Sequence, residues 1–148
     1  MRRREKPHKG VVLEHQFNIR FSEVDSMQIV WHGNYLKYFE DAREAFGDKF
    51  GLTYLDAYAK GYMTPIVKSS IEHKAPLKYL EKGKIVIKLI HDPSAKIIYR
   101  YYVFNAETDQ LCATGETIQV FIDKEGELQL FAPEFFLNWR ETLPWQDF

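Results

Sequence analysis

The sequence predicts an α+β domain in which one long helix is wrapped by a mostly antiparallel sheet. The first observation is an amphipathic pattern at helical spacing in residues 34–50, with one apolar and one charged face. The second is a set of five strand-like segments elsewhere in the chain. The third is a series of short turn sequences that join the last three of these segments, which indicates antiparallel neighbours.

The chain length of 148 residues suits one domain, which we expect to cover residues 1–148. A domain of this size buries enough surface to fold without a disulfide or a structural metal. Residues 1–10 are polar and basic, so we expect them to form a flexible N-terminal arm.

The first strand is predicted in residues 13–21, where apolar and polar residues alternate. The alternation ends at residue 22, and a turn that contains Asp25 follows. A short apolar step, which includes Val30 and Trp31, then leads towards the helix.

The long helix is predicted to begin at Asn34, whose side-chain oxygen can accept a backbone N–H of the first turn as an N-cap. Gly47 or Gly51 is expected to end it. A second short helix is predicted in residues 52–59. The apolar stripe of the long helix consists of Tyr35, Phe39, Ala42, Phe46 and Phe50.

Four further strands and a last helix complete the prediction. Pro76 is expected to form a bulge in the second strand or to end it, and Pro133 to open the final helix. The four strands are predicted in residues 63–75, 85–90, 97–104 and 111–122.

Composition excludes several classes of function. The net charge of -1 argues against a nucleic-acid partner. No run approaches the roughly 18 apolar residues of a membrane span. The basic N-terminus has no apolar region behind it, so we do not expect it to be a secretory signal. The single Cys112 is interpreted as a packing residue, which is compatible with a cytoplasmic location. No metal-ligand spacing or nucleotide-binding motif occurs, so we expect no metal and no bound cofactor.

Asp25 is the first candidate for catalysis. A carboxylate between a strand and a helix start can attack an acyl carbon as a nucleophile, or it can take a proton from water as a general base. Asp is also common in turns, so a purely structural role for Asp25 stays open. His32 follows at the helix start, where unpaired backbone N–H groups can bind an oxyanion. A structural role is open for His32 as well.

Weaker candidates lie further along the chain. His73 precedes Pro76 on a strand that can line a cleft, whereas Glu40 is interpreted as a solvated helix residue. A loose basic set could meet phosphates, although a solvated strand face is the default explanation for such charges. This set consists of Lys68, Lys74, Lys78 and Lys82.

The segment of residues 19–43 resembles the signature of the hotdog-fold acyl-CoA thioesterases of the 4-hydroxybenzoyl-CoA thioesterase type. The remaining strands agree in order and length with a hotdog sheet around a central helix. The matching residues are Asp25, Val30, His32, Asn34, Tyr35, Leu36, Phe39, Glu40, Ala42 and Arg43.

The resemblance implies hydrolysis of an acyl-CoA, with Asp25 as nucleophile or general base and the N–H at His32 on the thioester carbonyl oxygen. Coenzyme A enters only as part of the substrate. The resemblance also implies a homodimer or homotetramer with the acyl-pantetheine channel at the subunit interface. We expect the substrate to contact Gln28, Val30, Trp31, Gly33, Asn34, Tyr35 and His73.

The family has a glycine at the position of Gln28. A glycine there permits a tight turn and close approach of the thioester, so Gln28 leaves the substrate class open. Two alternatives therefore accompany the acyl-CoA interpretation: hydrolysis of an acyl-carrier-protein thioester, and a non-catalytic protein that binds acyl thioesters.

Overall fold

The structure is a computed structural model that describes residues 5–148. The main sheet contains β1 (Lys9–Asn18), β3 (Ile66–His73), β4 (Lys82–Ile90), β5 (Lys96–Asn105), β6 (Leu111–Val120) and β8 (Gln146–Asp147). A small second sheet pairs β2 (Tyr62–Met63) with β7 (Ile122–Asp123). The helices are α1 (Asn34–Phe50), α2 (Tyr54–Ala59) and α3 (Glu134–Glu141), and a short 3-10 turn spans Phe21–Glu23.

The strand order of the main sheet is β3-β6-β5-β4-β1-β8, and every neighbouring pair is antiparallel. The five long strands correspond to the five that the sequence predicts. The bounds of the first differ, because β1 ends at Asn18 and Phe21 already lies in the 3-10 turn. The sixth, β8, has only two residues and pairs with the start of β1. Its length is too short for a pattern of alternation to mark it in the sequence.

Helix α1 packs its apolar stripe on one face of the sheet. The ring of Phe39 stacks on that of Tyr101 in β5, with centroids 4.0 Å apart and an interplanar angle of 6°. Gly115 in β6 makes room for this pair, because a Cβ atom there would lie 2.4 Å from Cε2 of Phe39. The helix therefore lies close to the centre of the sheet, as the sequence predicts for a hotdog fold.

The ends of α1 differ from the prediction in one respect. Gly33 is the N-cap residue, and Asn34 is already the first helical residue. The prediction of Asn34 as the N-cap is wrong, because its side chain bonds to the preceding loop instead of to the first helical turn. Gly51 ends the helix with φ of 87°, a left-handed conformation that glycine adopts without strain.

The predicted N-terminal arm is shorter than residues 1–10. Residues 1–4 lie outside the described part of the chain, and β1 already begins at Lys9. The backbone of His8 pairs in both directions with that of Phe148, at 3.1 and 2.9 Å. The carboxylate of Glu5 accepts a hydrogen bond from Lys88 at 3.1 Å. The terminal residues thus contact the outer face of the sheet.

Within residues 5–148, no helix is long and apolar enough to cross a membrane. The same residues contain no group of three or more side chains that could hold a metal ion.

Candidate active site

Asp25 begins a tight turn between the end of the 3-10 turn and the start of α1. The N–H of Asp25 donates to the carbonyl of Ile29, and the N–H of Gln28 donates to the carbonyl of Asp25, both at 2.9 Å. An antiparallel bridge between Val24 and Val30 closes this small hairpin. The hairpin fixes the backbone of Asp25, which limits the positions open to its carboxylate.

The side chain of Asp25 is half-buried, and its Oδ1 atom accepts the N–H of Met27 at 2.8 Å. The structural role that the sequence left open is therefore real, since this bond forms an Asx turn. Among the described residues, Oδ2 has no hydrogen-bond donor. One carboxylate oxygen orients the side chain, and the other is available for chemistry.

Gln28 adopts φ of 62°, which lies in the left-handed region. A residue other than glycine loses roughly 1–2 kcal/mol in this conformation. The turn thus explains why a glycine suits this position. The side chain of Gln28 is exposed.

The backbone carbonyl of Glu23 joins the hairpin to the helix. It accepts the N–H of Trp31 at 2.9 Å and the side-chain amide of Asn34 at 2.8 Å. The carboxylate of Glu23 also accepts the hydroxyl of Tyr38 at 3.1 Å. Burial, followed by the charge of Glu23, raises the pKa of Tyr38 well above its usual range, so this hydroxyl stays a donor. These bonds hold the first turns of α1 against the loop that carries Asp25.

The helix start leaves two backbone N–H groups unpaired. The N–H of Asn34 donates to the carbonyl of Trp31 at 2.9 Å, and that of Tyr35 donates to the carbonyl of His32 at 3.3 Å. The N–H groups of His32 and Gly33 have no acceptor within residues 5–148. They lie at the positive end of α1, where an anionic oxygen is stabilised.

The aromatic residues beside these N–H groups shape the surface. Trp31 is 51% exposed, and its ring lies 5.0 Å from that of His32, which is also exposed. A Cβ atom at Gly33 would lie 2.2 Å from the Trp31 ring. Any larger residue at position 33 would therefore force the Trp31 ring to move.

The remaining predicted binding residues fall into two groups. The first group is buried, so it supports the Asp25 loop and the start of α1 from the protein interior; it consists of Val30, Asn34 and Tyr35. Burial raises the pKa of Tyr35 to about 12, the charge of Cys112 contributing less. His73 is exposed at the end of β3, and its ring meets that of Tyr35 edge-on at 4.9 Å. The structure thus brings His73 to the first turn of α1.

The predicted basic set does not form one cluster. Lys74 pairs with Glu72 at 2.9 Å, whereas Lys78 forms a bridge with Ile29 beside the Asp25 hairpin. Lys82 lies at the start of β4, where its backbone carbonyl accepts the N–H of Ala106, the residue after the end of β5.

A cavity of about 590 Å³ lies along the C-terminal half of α1, and the sequence did not indicate it. The guanidinium of Arg43 donates to the hydroxyl of Tyr101 at 3.0 Å, and that hydroxyl lies 2.6 Å from the hydroxyl of Thr117. The walls come from α1, α2 and three strands that are distant in the sequence, so no local motif could reveal them. They include Glu40, Arg43, Glu44, Ile66, Tyr99 and Gln119.

The family model of the thioesterase-like superfamily matches residues 19–140. A relative in Bacillus subtilis (strain 168), YneP, is described as a candidate acyl-CoA thioesterase. It is 31% identical over 129 residues, which cover 86% of this chain and 92% of the relative.

Solved structures support the same fold. A DHNA-CoA thioesterase from Staphylococcus aureus is 28% identical with a TM-score of 0.75, covering 89% of this chain and 87% of that one. A 1,4-dihydroxy-2-naphthoyl-CoA thioesterase from Synechocystis has a TM-score of 0.79 at 20% identity, covering 89% and 97%, and supports the fold alone. The chain therefore belongs to the thioesterase-like superfamily, and the prediction of a hotdog-fold thioester hydrolase of the acyl-CoA thioesterase type is confirmed.

Proposed function

We propose that the protein hydrolyses an acyl-CoA to the free acid and coenzyme A, with Asp25 and the N–H groups at the start of α1 as its catalytic groups. The observation that carries this proposal is the junction at Glu23, whose carbonyl accepts bonds from both Trp31 and Asn34. This junction connects the two parts of the proposed site. One is the hairpin that carries the available carboxylate oxygen of Asp25, and the other is the start of α1 with its two unpaired N–H groups.

The reaction needs one carboxylate and one oxyanion site. As a general base, Asp25 takes a proton from water, whose oxygen bonds to the acyl carbon while the carbonyl electrons move to the oxygen. The N–H groups of His32 and Gly33 stabilise that oxyanion. The C–S bond then breaks, and the sulfur of coenzyme A receives the proton that Asp25 holds.

A nucleophilic route uses the same carboxylate. Here an oxygen of Asp25 bonds to the acyl carbon, the C–S bond breaks with release of the thiolate, and water then hydrolyses the mixed anhydride. Rapid quenching followed by mass spectrometry separates the two routes. The nucleophilic route adds the mass of the acyl group to the chain, whereas the general-base route leaves the mass of the chain unchanged.

The proposed catalytic groups all belong to the protein, so the reaction requires no cofactor beyond the coenzyme A portion of the substrate. The relative from Staphylococcus aureus is a DHNA-CoA thioesterase, which makes hydroxylated aromatic acyl-CoAs the first class to test. Trp31 and His32 offer exposed aromatic surface beside the N–H groups. We place the reaction in the cytoplasm, since the single cysteine is buried and no disulfide is needed.

We further propose that the protein acts as a homo-oligomer. Strand β3 lies at the edge of the main sheet, and seven of its eight residues are exposed. An edge strand of this length is a ready template for another chain.

The test is release of free thiol from a panel of short, long and aromatic acyl-CoAs. Asp25→Asn keeps a side-chain oxygen for the Asx turn but cannot act as a base, so we expect a loss of at least about 100-fold in kcat. Asp123→Asn is the matched control, because Asp123 accepts the N–H of Glu125 in an equivalent turn at 3.0 Å. The control is expected to retain activity.

Two outcomes contradict the proposal. If the folded native protein releases no thiol from any acyl-CoA, carrier-protein thioesters are tested next, and retention of an intact ligand for hours identifies a binding protein. If both variants are as active as the native protein, Asp25 is not the catalytic carboxylate.

A further inference from the structure

The cavity along α1 contains a buried hydroxyl group that the fold does not use. Tyr99 lines this cavity and is only 5% exposed. Within residues 5–148 its hydroxyl makes no hydrogen bond, and Nε of Arg140 is the one side-chain polar atom that is both enclosed and unpaired. The hydroxyl of Tyr99 therefore reaches the surface of the cavity. A polar group on a side chain buried to this extent normally has a partner, so its orientation into the cavity points to a ligand.

The neighbouring Tyr101 shows the contrast. Its hydroxyl accepts a hydrogen bond from Arg43 at 3.0 Å and lies 2.6 Å from the hydroxyl of Thr117, so the protein itself satisfies it. Burial, followed by the nearby hydroxyl of Tyr101, raises the pKa of Tyr99 above its usual range, although the charge of Arg43 opposes the shift. The hydroxyl of Tyr99 thus stays protonated and can donate to a ligand.

Two further side chains in the cavity wall have unused hydrogen-bonding capacity. One N–H group of Arg43 donates to Tyr101, and the others have no acceptor within residues 5–148. The side-chain amide nitrogen of Gln119 donates to the carbonyl of Thr64 at 2.8 Å, whereas no donor in the described part of the chain bonds to its side-chain oxygen. Gln119 lies opposite Ile97, two residues before Tyr99 on the adjacent strand. The cavity thus offers donors and an acceptor, which together suit a hydroxyl group.

The charges of the cavity wall favour a neutral ligand. The carboxylates of Glu40, Glu44 and Asp48 follow one another at intervals of four residues along α1. Among the described residues that line the cavity, Arg43 is the one base. A carboxylate or phosphate on the ligand would meet this excess of negative charge, and like charges that face one another are unfavourable. A hydroxyl group carries no such penalty.

The position of the cavity along α1 sets the length of the ligand. An α-helix rises about 1.5 Å per residue, so the stretch from Glu40 to Asp48 lies about 9 to 21 Å from Asn34 at the helix start. An extended carbon chain advances about 1.25 Å per bond, so a lauroyl chain spans about 14 Å and ends inside the cavity. Leu36 is 44% exposed and provides apolar surface before the cavity begins. Short acyl groups and single aromatic rings end before they reach it.

We propose that the cavity along α1 binds the far end of an elongated acyl group, and that Tyr99 selects acyl groups that carry a hydroxyl group there. This inference rests on the proposed function, in which the N–H groups of His32 and Gly33 hold the thioester end. The hydroxyl of the ligand accepts a hydrogen bond from Tyr99 and donates one to the side-chain oxygen of Gln119.

The size and the apolar walls of the cavity fit this ligand. Its volume of about 590 Å³ lies within the usual range of small-molecule sites. Aliphatic side chains from the segment after α1, from α2 and from two strands cover the carbon chain of the ligand. They are Leu52, Leu55, Ile66 and Ile97.

Thioether analogues of acyl-CoA, in which a CH₂ group replaces the thioester carbonyl, test binding without hydrolysis. One analogue carries a plain lauryl chain, and the other carries the same chain with a hydroxyl group at its far end. Tyr99→Phe removes only a hydroxyl that has no partner in the protein, so we expect the variant to be as stable as the native protein. Calorimetry should show roughly tenfold weaker binding of the hydroxylated analogue and unchanged binding of the plain one.

Two controls accompany this measurement. Tyr102→Phe removes a hydroxyl from the opposite face of the same strand, where Tyr102 donates to Glu5, and should leave the binding of both analogues unchanged. A hydroxylated butyl analogue is too short to reach the cavity, so its affinity should not respond to Tyr99→Phe. A lauryl analogue with a carboxyl group at its far end should bind the native protein more weakly than the hydroxylated one.

The proposal is overturned if the native protein binds neither lauryl analogue, or if Tyr99→Phe affects the two analogues equally. Tightest binding of the carboxylated analogue overturns it as well. Thiol release from the corresponding thioesters is measured separately. Selective binding that depends on Tyr99, without thiol release, would contradict the proposed function and leave this inference standing. Thiol release from acyl-CoAs without any dependence on Tyr99 would do the reverse.

Discussion

The side-chain amide of Asn34 donates a hydrogen bond of 2.8 Å to the backbone carbonyl of Glu23. Asn34 is buried in the first turn of α1, and Glu23 ends the short 3-10 turn that precedes the Asp25 hairpin. The bond thus fixes the distance between the candidate base and the candidate oxyanion site.

Replacement of this amide is expected to affect stability and activity together. Asn34→Ala leaves the Glu23 carbonyl with the N–H of Trp31 alone and should lower the free energy of unfolding by about 1–3 kcal/mol. It should also lower kcat for thiol release, because the hairpin loses one link to the helix. Asn138→Ala, at an exposed position of α3, serves as the control in urea denaturation and thiol-release assays. Equal stability of the two variants would show that the bond contributes nothing.

The left-handed turn at Gln28 predicts a stabilising substitution. Gln28→Gly should raise the free energy of unfolding by about 1 kcal/mol, because glycine tolerates φ of 62° without steric strain. Ser26→Gly in the same turn should lower the stability, since its φ is not positive and glycine only adds freedom to the unfolded chain. The measurement is thermal or urea unfolding. A loss of stability in both variants would contradict the interpretation of the turn.

The contact of α1 with the sheet predicts intolerance to a single methyl group. In Gly115→Ala the new atom would lie 2.4 Å from Phe39 and 2.8 Å from the carbonyl of Ser70, so the stack on Tyr101 must shift. Overpacking of this kind typically lowers the free energy of unfolding by about 1–3 kcal/mol. Thr114→Ala on the neighbouring position of β6 is the control in the same denaturation experiment. If both variants unfold like the native protein, the packing at Gly115 is looser than described.

The contact of Glu5 with the outer face predicts a pH-dependent contribution to stability. Partial burial alone would raise the pKa of Glu5, but hydrogen bonds from Tyr102 and Lys88, aided by the charges of Lys88 and Arg100, together hold its pKa below the ordinary value. A carboxylate with a lowered pKa in the folded state stabilises the protein above its unfolded pKa, and this is lost as the pH falls through the folded pKa.

Glu5→Gln should accordingly lower Tm at neutral pH and have no effect at about pH 2, below the carboxylate pKa in both states. The effect should be small, because the side chain is 37% exposed and solvent screens its charge. Calorimetry of both proteins across the acidic range measures it. A difference in Tm that grows towards low pH would reverse the sign and refute the assignment.

Local patterns were sufficient for most of the fold. The alternation in residues 13–19 and the stripe from Tyr35 to Phe50 each report which side of an element is buried, because a hydrophobic pattern marks the buried positions. The alternation fails at Phe21, which is 75% exposed in the 3-10 turn. The N-cap was misplaced because a capping side chain and a side chain that bonds to a distant loop look alike in sequence. The two-residue β8 is fixed by its partner β1, not by its own composition.

The candidate site was only partly predictable for the same reason. Asp25 and His32 lie in one segment, so their spacing is visible in the chain. The cavity along α1 brings Arg43 together with Ile66 and Gln119, and such convergence depends on the pairing of β3 with β6. No spacing within a single segment encodes it.

The pairing of β1 with β4 also has a consequence for the order in which the protein folds. Strands β4, β5 and β6 follow one another through short turns, whereas β1 must pair with a strand more than sixty residues later in the chain. Closing that long loop is slow compared with forming local hairpins. The N–H of Val30 donates to the carbonyl of Leu77, and Ile29 forms a β-bridge with Lys78. The Asp25 hairpin therefore cannot reach its final conformation before Leu77 and Lys78 are in place. We expect the three-strand meander to form early. The segment that carries the candidate catalytic groups, although synthesised first, should be among the last to acquire its final shape.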